Sequence, residues 1–164
     1  MNNSNVENIF LSDLKQTQNV LKTKSSKMLT NFENRPMLSH ISYDKNENKI
    51  FFDITKHHFR DIYSIDLESK KIESVSNNTT YDERNYSTNE NGIAVYSQDK
   101  SGIYNLYLRS SSDSTFGYAT NVIGGAFMPN LSKDGKILFS LYDDGKYTIA
   151  ILDNPFAINE DYVG

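Results

Sequence analysis

One interval constrains this chain more than any single motif. Phe52, Tyr96 and Phe139, each near the end of an apolar segment, lie 44 and 43 residues apart, and Ile62, Leu106 and Ile149 in the following segments repeat the same two intervals. Ser42, Ser87 and Ser132 are spaced by 45 and 45. Three anchors that keep one period are the mark of a repeat architecture, and a period of about 40–45 residues with four short strands per unit is what a β-propeller blade requires.

The segments inside each unit support strands. Asn130-Leu131-Ser132-Lys133-Asp134-Gly135-Lys136-Ile137-Leu138-Phe139-Ser140 reads as strand, tight turn, strand, and Asp144-Gly145 leads into a third strand, Tyr147 to Asp153. Asp-Gly supplies the positive-φ positions that tight hairpin turns need, while apolar and β-branched residues fill the intervals. In the first unit Ile41–Asp44, Lys49–Asp53, Asp61–Leu67 and Ile72–Val75 are the expected strands; in the second they are Asn85–Ser87, Ile93–Ser97 and Ile103–Leu108. A fourth strand of the third unit would come from Ala157-Ile158 or be absent. The expected division is 1–34, then blades over 35–80, 81–124 and 125–164.

The first 34 residues admit two readings. Ser4 with Glu7 forms a capping box, and Val6, Ile9, Phe10, Leu14, Thr17, Val20 and Leu21 fall near helical spacing, which predicts an N-terminal helix. Alternatively Asn8–Leu14 and Met28–Thr30 are strands separated by a polar loop through Lys27. The second reading is preferred, because Ile9-Phe10-Leu11-Ser12-Asp13-Leu14 follows the pattern of Ile62-Tyr63-Ser64-Ile65-Asp66-Leu67. The chain then starts in the outer half of a blade. The expected fold class is all-β, built of four-stranded antiparallel propeller blades: about three and a half of them, an incomplete propeller.

Composition limits the function classes. A net charge of −4 and a pI near 5.3 leave no basic surface for phosphate backbones, so nucleic acid is not an expected partner. The 11 Tyr and 9 Phe supply the large apolar areas that scarce Leu and Val do not, and favour sheets. Without cysteine there is neither a disulfide framework nor a thiolate metal site. No window approaches the ~18 apolar residues of a spanning helix, and Met1 to Glu7 lacks the pattern of a signal peptide.

Phe127-Met128-Pro129-Asn130-Leu131-Ser132-Lys133-Asp134-Gly135-Lys136-Ile137-Leu138-Phe139-Ser140, and more loosely Asn34-Arg35-Pro36-Met37-Leu38-Ser39, resemble the Pro-x-x-Ser-x-Asp-Gly-Lys signature of TolB-like propeller repeats, relatives of WD repeats that lack the Trp-Asp dipeptide. The third unit matches best. The second replaces the motif by Ser87-Thr88-Asn89-Glu90-Asn91-Gly92 and the first by Ser42-Tyr43-Asp44 with a longer turn. The resemblance implies a bacterial, non-enzymatic scaffold, periplasmic or envelope-associated, that binds a protein or cell-envelope partner. It also implies an alternative, the substrate-gating propeller of a larger prolyl oligopeptidase-type hydrolase. A carbohydrate-binding propeller that closes by oligomerising is a third reading.

Individual residues point to no catalytic, cofactor or metal site. His57-His58 lie in a hairpin loop, where adjacent extended residues point to opposite sides and do not share an ion. His40 reads as a structural hydrogen bonder. The acidic turns Asp99 to Gly102, Asp134-Gly135 and Asp143-Asp144-Gly145 lack the alternate oxygen ligands and closing Glu of a calcium loop, and read as turn chemistry. No Gly-x-Ser-x-Gly elbow occurs. Gly124-Gly125 reads as a blade junction, and the Asn-x-Ser/Thr matches at Asn78, Asn85 and Asn130 as chance in an Asn-rich chain. Phe51, Phe52, Tyr63, Tyr96, Tyr104, Tyr107 and Phe139 recur at the blade period, which favours inter-blade core over a sugar-stacking surface. Ser110 to Thr115 reads as a flexible loop that a partner could touch. Because an open propeller leaves apolar sheet faces uncovered, either the chain is a fragment of a longer protein or it self-associates through those faces.

Overall fold

A computed structural model describes residues 6–56, 58–75, 80–110 and 116–155. Among the described residues there are strands and turns and no helix. The chain divides into two compact units, Met1–Leu38 and Ser39–Gly164.

The first unit holds one hairpin, β1 (Phe10–Thr17) and β2 (Val20–Met28), which replaces the helix of the alternative reading. It also corrects the expected polar loop. Gln18 and Asn19 both have positive φ, 48° and 63°, so a two-residue turn joins Thr17 to Val20 and the Lys15–Lys27 stretch is strand. The strands pair from Phe10↔Met28 to Thr17↔Val20 with one register shift after Asp13. Residues just before and after them are tied down: Ile9 N–H donates to Thr30 Oγ1 at 2.9 Å, and Asn8 Oδ1 accepts from Thr30 Oγ1 and Phe32 N–H.

The second unit is three antiparallel sheets stacked face to face. Sheet 1 is β3 (Met37–Asp44), β4 (Lys49–Lys56), β5 (Phe59–Asp66) and β6 (Ile72–Ser74), side by side in that order. Sheet 2 is β7 (Glu83–Thr88), β8 (Ile93–Gln98), β9 (Asn105–Ser110) and β10 (Phe116–Tyr118). Sheet 3 is β11 (Gly125–Leu131), β12 (Ile137–Asp143) and β13 (Lys146–Leu152). The expected strand at Ala157-Ile158 lies outside the described residues.

Register confirms two of the three repeat anchors. Phe52 pairs with Tyr63, Tyr96 with Tyr107 and Phe139 with Ala150, so the aromatic anchors occupy one position in all three sheets. Their faces alternate by strand geometry. In each sheet one face, here called backward, carries the Phe52, Tyr96 or Phe139 position, and the other, forward, carries the Ile62, Leu106 or Ile149 position. The forward face of sheet 1, with Phe51 and Ile62, packs against Tyr86, Ala94, Tyr96 and Tyr107 of sheet 2. The forward face of sheet 2, with Val95, Leu106 and Leu108, packs against Ala126, Leu131, Ile137, Phe139 and Ala150 of sheet 3. The serine anchor differs. Ser42 and Ser87 lie two residues before Asp44 and Asn89, which cap the first hairpin turn of their sheets, whereas Ser132 is itself the capping residue of the third.

Candidate functional site

The sheets meet in two polar layers. At the first turns the bonds repeat from sheet to sheet. Ser42 Oγ donates to the Tyr86 carbonyl at 2.8 Å, and Ser87 Oγ accepts from Leu131 N–H at 3.0 Å. Asn46 Nδ2 donates to the Glu90 carbonyl and Asn91 Nδ2 to the Lys133 carbonyl. Asp44 bridges directly, accepting its own turn's Asn46 and Glu47 N–H groups on one oxygen and Thr88 Oγ1 on the other. His40 is the structural hydrogen bonder its position suggested, with Nε2 donating to Tyr86 O at 3.2 Å.

The opposite end concentrates charge. Asp82 lies between sheets 1 and 2 and accepts from Arg60 N–H on Oδ1 at 3.0 Å and from the Tyr104 hydroxyl on Oδ2 at 2.8 Å. Its own N–H donates to Asp99 Oδ1, which makes the Asp99 to Gly102 turn a linchpin of the β8–β9 connection. The Arg84 guanidinium lies 3.8 Å from the Tyr104 ring centre and 5.0 Å from that of Phe127, so one cation joins sheets 2 and 3 over two aromatic faces. Its Nε and Asp61 Oδ1 are buried without a hydrogen-bond partner among the described residues. Burial, then the nearby Asp82 charge, raises the Asp61 pKa, and burial, then the bond to Asp82, raises that of the Tyr104 phenol.

Asp53 lies deeper, on the forward face of sheet 1. It is 0% exposed, and both carboxylate oxygens stand 3.2 Å from Asn85 N, which donates across to it. Burial pushes its pKa up to about 7, against the smaller opposing effects of the Asn85 N–H, Arg60 and Arg84. Asn85 has a φ of 62° inside the bulge of β7, and Met128 has a φ of 50° inside that of β11. Sequence reading passed over this cluster because its members are scattered singly through turns and strand ends and follow no motif spacing.

The other sequence candidates are accounted for locally. His58 is exposed, and His57, Asn78 and residues 111–115 lie outside the described residues. Asp134 accepts from Ser132 Oγ at 2.6 Å within its own turn, and Asp144 and Gly145, with φ of 45° and 74°, form a two-residue turn between Asp143 and Lys146. A Cβ on Gly124 would stand 2.0 Å from the Tyr142 carbonyl oxygen, so the junction is a place of close approach. Phe51, Phe52, Tyr96 and Phe139 are buried between strands and form no outer ring surface. Phe51 stacks on Tyr86 at 4.2 Å, and the aromatic series continues through Tyr96 and Tyr107 to Tyr118, one ring per strand of sheet 2. Among the described residues no three His, Asp or Glu side chains are placed to hold a metal ion, and no helix is long and apolar enough to cross a membrane.

Comparison with solved structures decides the fold. A TolB structure from Acinetobacter baumannii superposes with a TM-score of 0.63 at 18% identity, over 89% of this chain and 41% of that one. A putative TolB from Agrobacterium tumefaciens gives 0.56 at 14%, over 80% of this chain and 50% of that one. The fold is that of a TolB-like propeller. The TolB-like architecture is here a run of stacked sheets with no closed barrel. A puromycin-hydrolyzing peptidase from Mycobacterium tuberculosis matches at 0.59 and 8% identity, over 80% of this chain and 21% of that one. The chain thus spans between about a fifth and a half of the solved structures it matches. No family model matches it, and no curated protein sequence does.

Proposed function

We propose that the chain is a non-enzymatic TolB-like propeller scaffold, periplasmic or envelope-associated, that binds a protein or cell-envelope partner through the loops at the ends of its strands. The observation that carries this reading is the structural likeness to two TolB proteins over 80–89% of the chain, together with a charged layer at one strand end whose side chains hold one another in place. Asp82, Arg60, Tyr104 and Arg84 link adjacent sheets, so the connecting loops of this end are presented on a rigid base. A photo-cross-linking residue at Lys100, in the exposed β8–β9 turn, is expected to yield one discrete protein adduct in cells, while the same probe at Glu47, at the far end, yields none. Equal labelling at both positions, or no adduct at either, would count against the scaffold reading.

The peptidase match supports the second reading, a propeller that gates a larger hydrolase. That reading requires a Gly-x-Ser-x-Gly segment in the same gene, and the flanking genomic sequence decides between the two.

A further inference from the structure

The forward faces of sheets 1 and 2 are covered, and that of sheet 3 is not. Ile62 and Leu106 are each 0% exposed, whereas Ile149, at the equivalent position, is 82% exposed. With it on the forward face stand Leu138, Ser140, Tyr142, Tyr147 and Ile151, opposite one another through Leu138↔Ile151, Ser140↔Ile149 and Tyr142↔Tyr147. None carries a charge. Three strands of seven residues, at ~4.8 Å between strands and ~3.3 Å per residue, make a patch of roughly 330 Å² in projection, within the size range that marks interaction sites on monomers.

The chain presents one other uncharged apolar face. On the β1–β2 hairpin, Phe10, Ser12, Leu14 and Gln16 alternate along one side of β1, facing Met28, Ser26, Thr23 and Leu21 of β2. Phe10, Leu14, Leu21 and Met28 are all exposed, and the lysines of the hairpin's paired positions, Lys15, Lys22 and Lys27, belong to the other side. The type of this face can be read from the repeat. Ile9-Phe10-Leu11 follows Ile62-Tyr63-Ser64, which places Phe10 with Tyr63, and Tyr63 pairs with Phe52 on a backward face. Both sheet contacts of the second unit join a forward face to a backward face.

We infer that the forward face of sheet 3, centred on Ile149, docks onto the apolar face of the β1–β2 hairpin, centred on Leu14, of a second copy of this chain. The contact is head-to-tail, reproduces the packing already present between sheets, and opposes no charges. Its small area makes the association reversible and dependent on concentration. It goes beyond the scaffold reading and does not rest on it.

Trans-complementation tests it. Sedimentation of the 164-residue chain is expected to show mass rising with concentration. Ile149→Asp and Leu14→Asp are each expected to move that transition about tenfold or more upward. Mixed one to one, the two variants are expected to pair again, since one retains an intact hairpin and the other an intact sheet 3. Because the chain has no cysteine, Leu14→Cys mixed with Ile149→Cys should give the mixed disulfide in preference to either homodimer. Circular dichroism, with Ile149→Lys and Leu14→Ser as second variants, separates lost contact from lost folding. A monomeric parent chain, a mixture that stays monomeric, or association that survives Ile149→Asp overturns the proposal.

Discussion

A carboxylate shut between two sheets sets the electrostatic character of Asp53. It has no water around it and one backbone donor, Asn85 N–H, shared between its oxygens, so the neutral acid is favoured and the pKa rises to about 7. The folded state therefore holds this proton more tightly than the unfolded chain, whose Asp ionises near 3.8. Its contribution to stability is full below that value and is lost as pH rises to about 7, by on the order of 4 kcal/mol. Asp53→Asn, which stays neutral and keeps an acceptor, is expected to flatten that decline, so that urea midpoints of variant and parent diverge from pH 4 to pH 8. A second residue-scale cost sits at Met128, whose φ of 50° is unfavourable for a long side chain. Met128→Gly should raise stability by roughly 0.5–1 kcal/mol in urea unfolding, since Met128 is exposed and gives up little packing.

Among the elements, the strongest sequence signals were glycine turns. Asp144-Gly145 forms a two-residue turn and Asp134-Gly135 lies in a hairpin turn, both where the dipeptides predicted them. The β1–β2 turn was missed because Gln18-Asn19 takes the same positive φ values without glycine, and because β1 and β2 are exposed along their whole length and lack a clean inside-outside alternation. Asn19→Gly is therefore expected to slow amide exchange across the hairpin by a few fold, equivalent to about 0.5–1 kcal/mol, measured by NMR. Strand β10 was unread for another reason: it has three residues and follows a serine-rich run, and what fixes it is the pairing of Tyr118 with Tyr107. The charged cluster around Asp82 was equally illegible. Its bonds join residues 17–22 positions apart through sheet stacking, which local periodicity does not encode.

For the whole molecule the period carried nearly all the legible information. An interval of 44 and 43 residues between aromatic anchors placed Phe52, Tyr96 and Phe139 at one position of three sheets, because stacking fixes the spacing wherever each sheet must cover the last. The same logic makes equivalent residues unequal. In dilute solution Ile62→Ala and Leu106→Ala are each expected to cost about 2–5 kcal/mol, and Ile149→Ala to stay within ~0.5 kcal/mol, by urea unfolding followed in the near-UV. Comparable losses at all three positions would show that sheet 3 is already covered in the monomer.

One consequence of the uncovered third sheet belongs to biosynthesis. Each sheet is contiguous in sequence and its forward face is closed by the sheet made after it, so the emerging polypeptide matures in the direction of translation. At every moment the newest sheet is the sticky one. A ribosome that pauses between Ser110 and Gly125 would leave Val95, Leu106 and Leu108 bare, and a nascent-chain chaperone would find its target there.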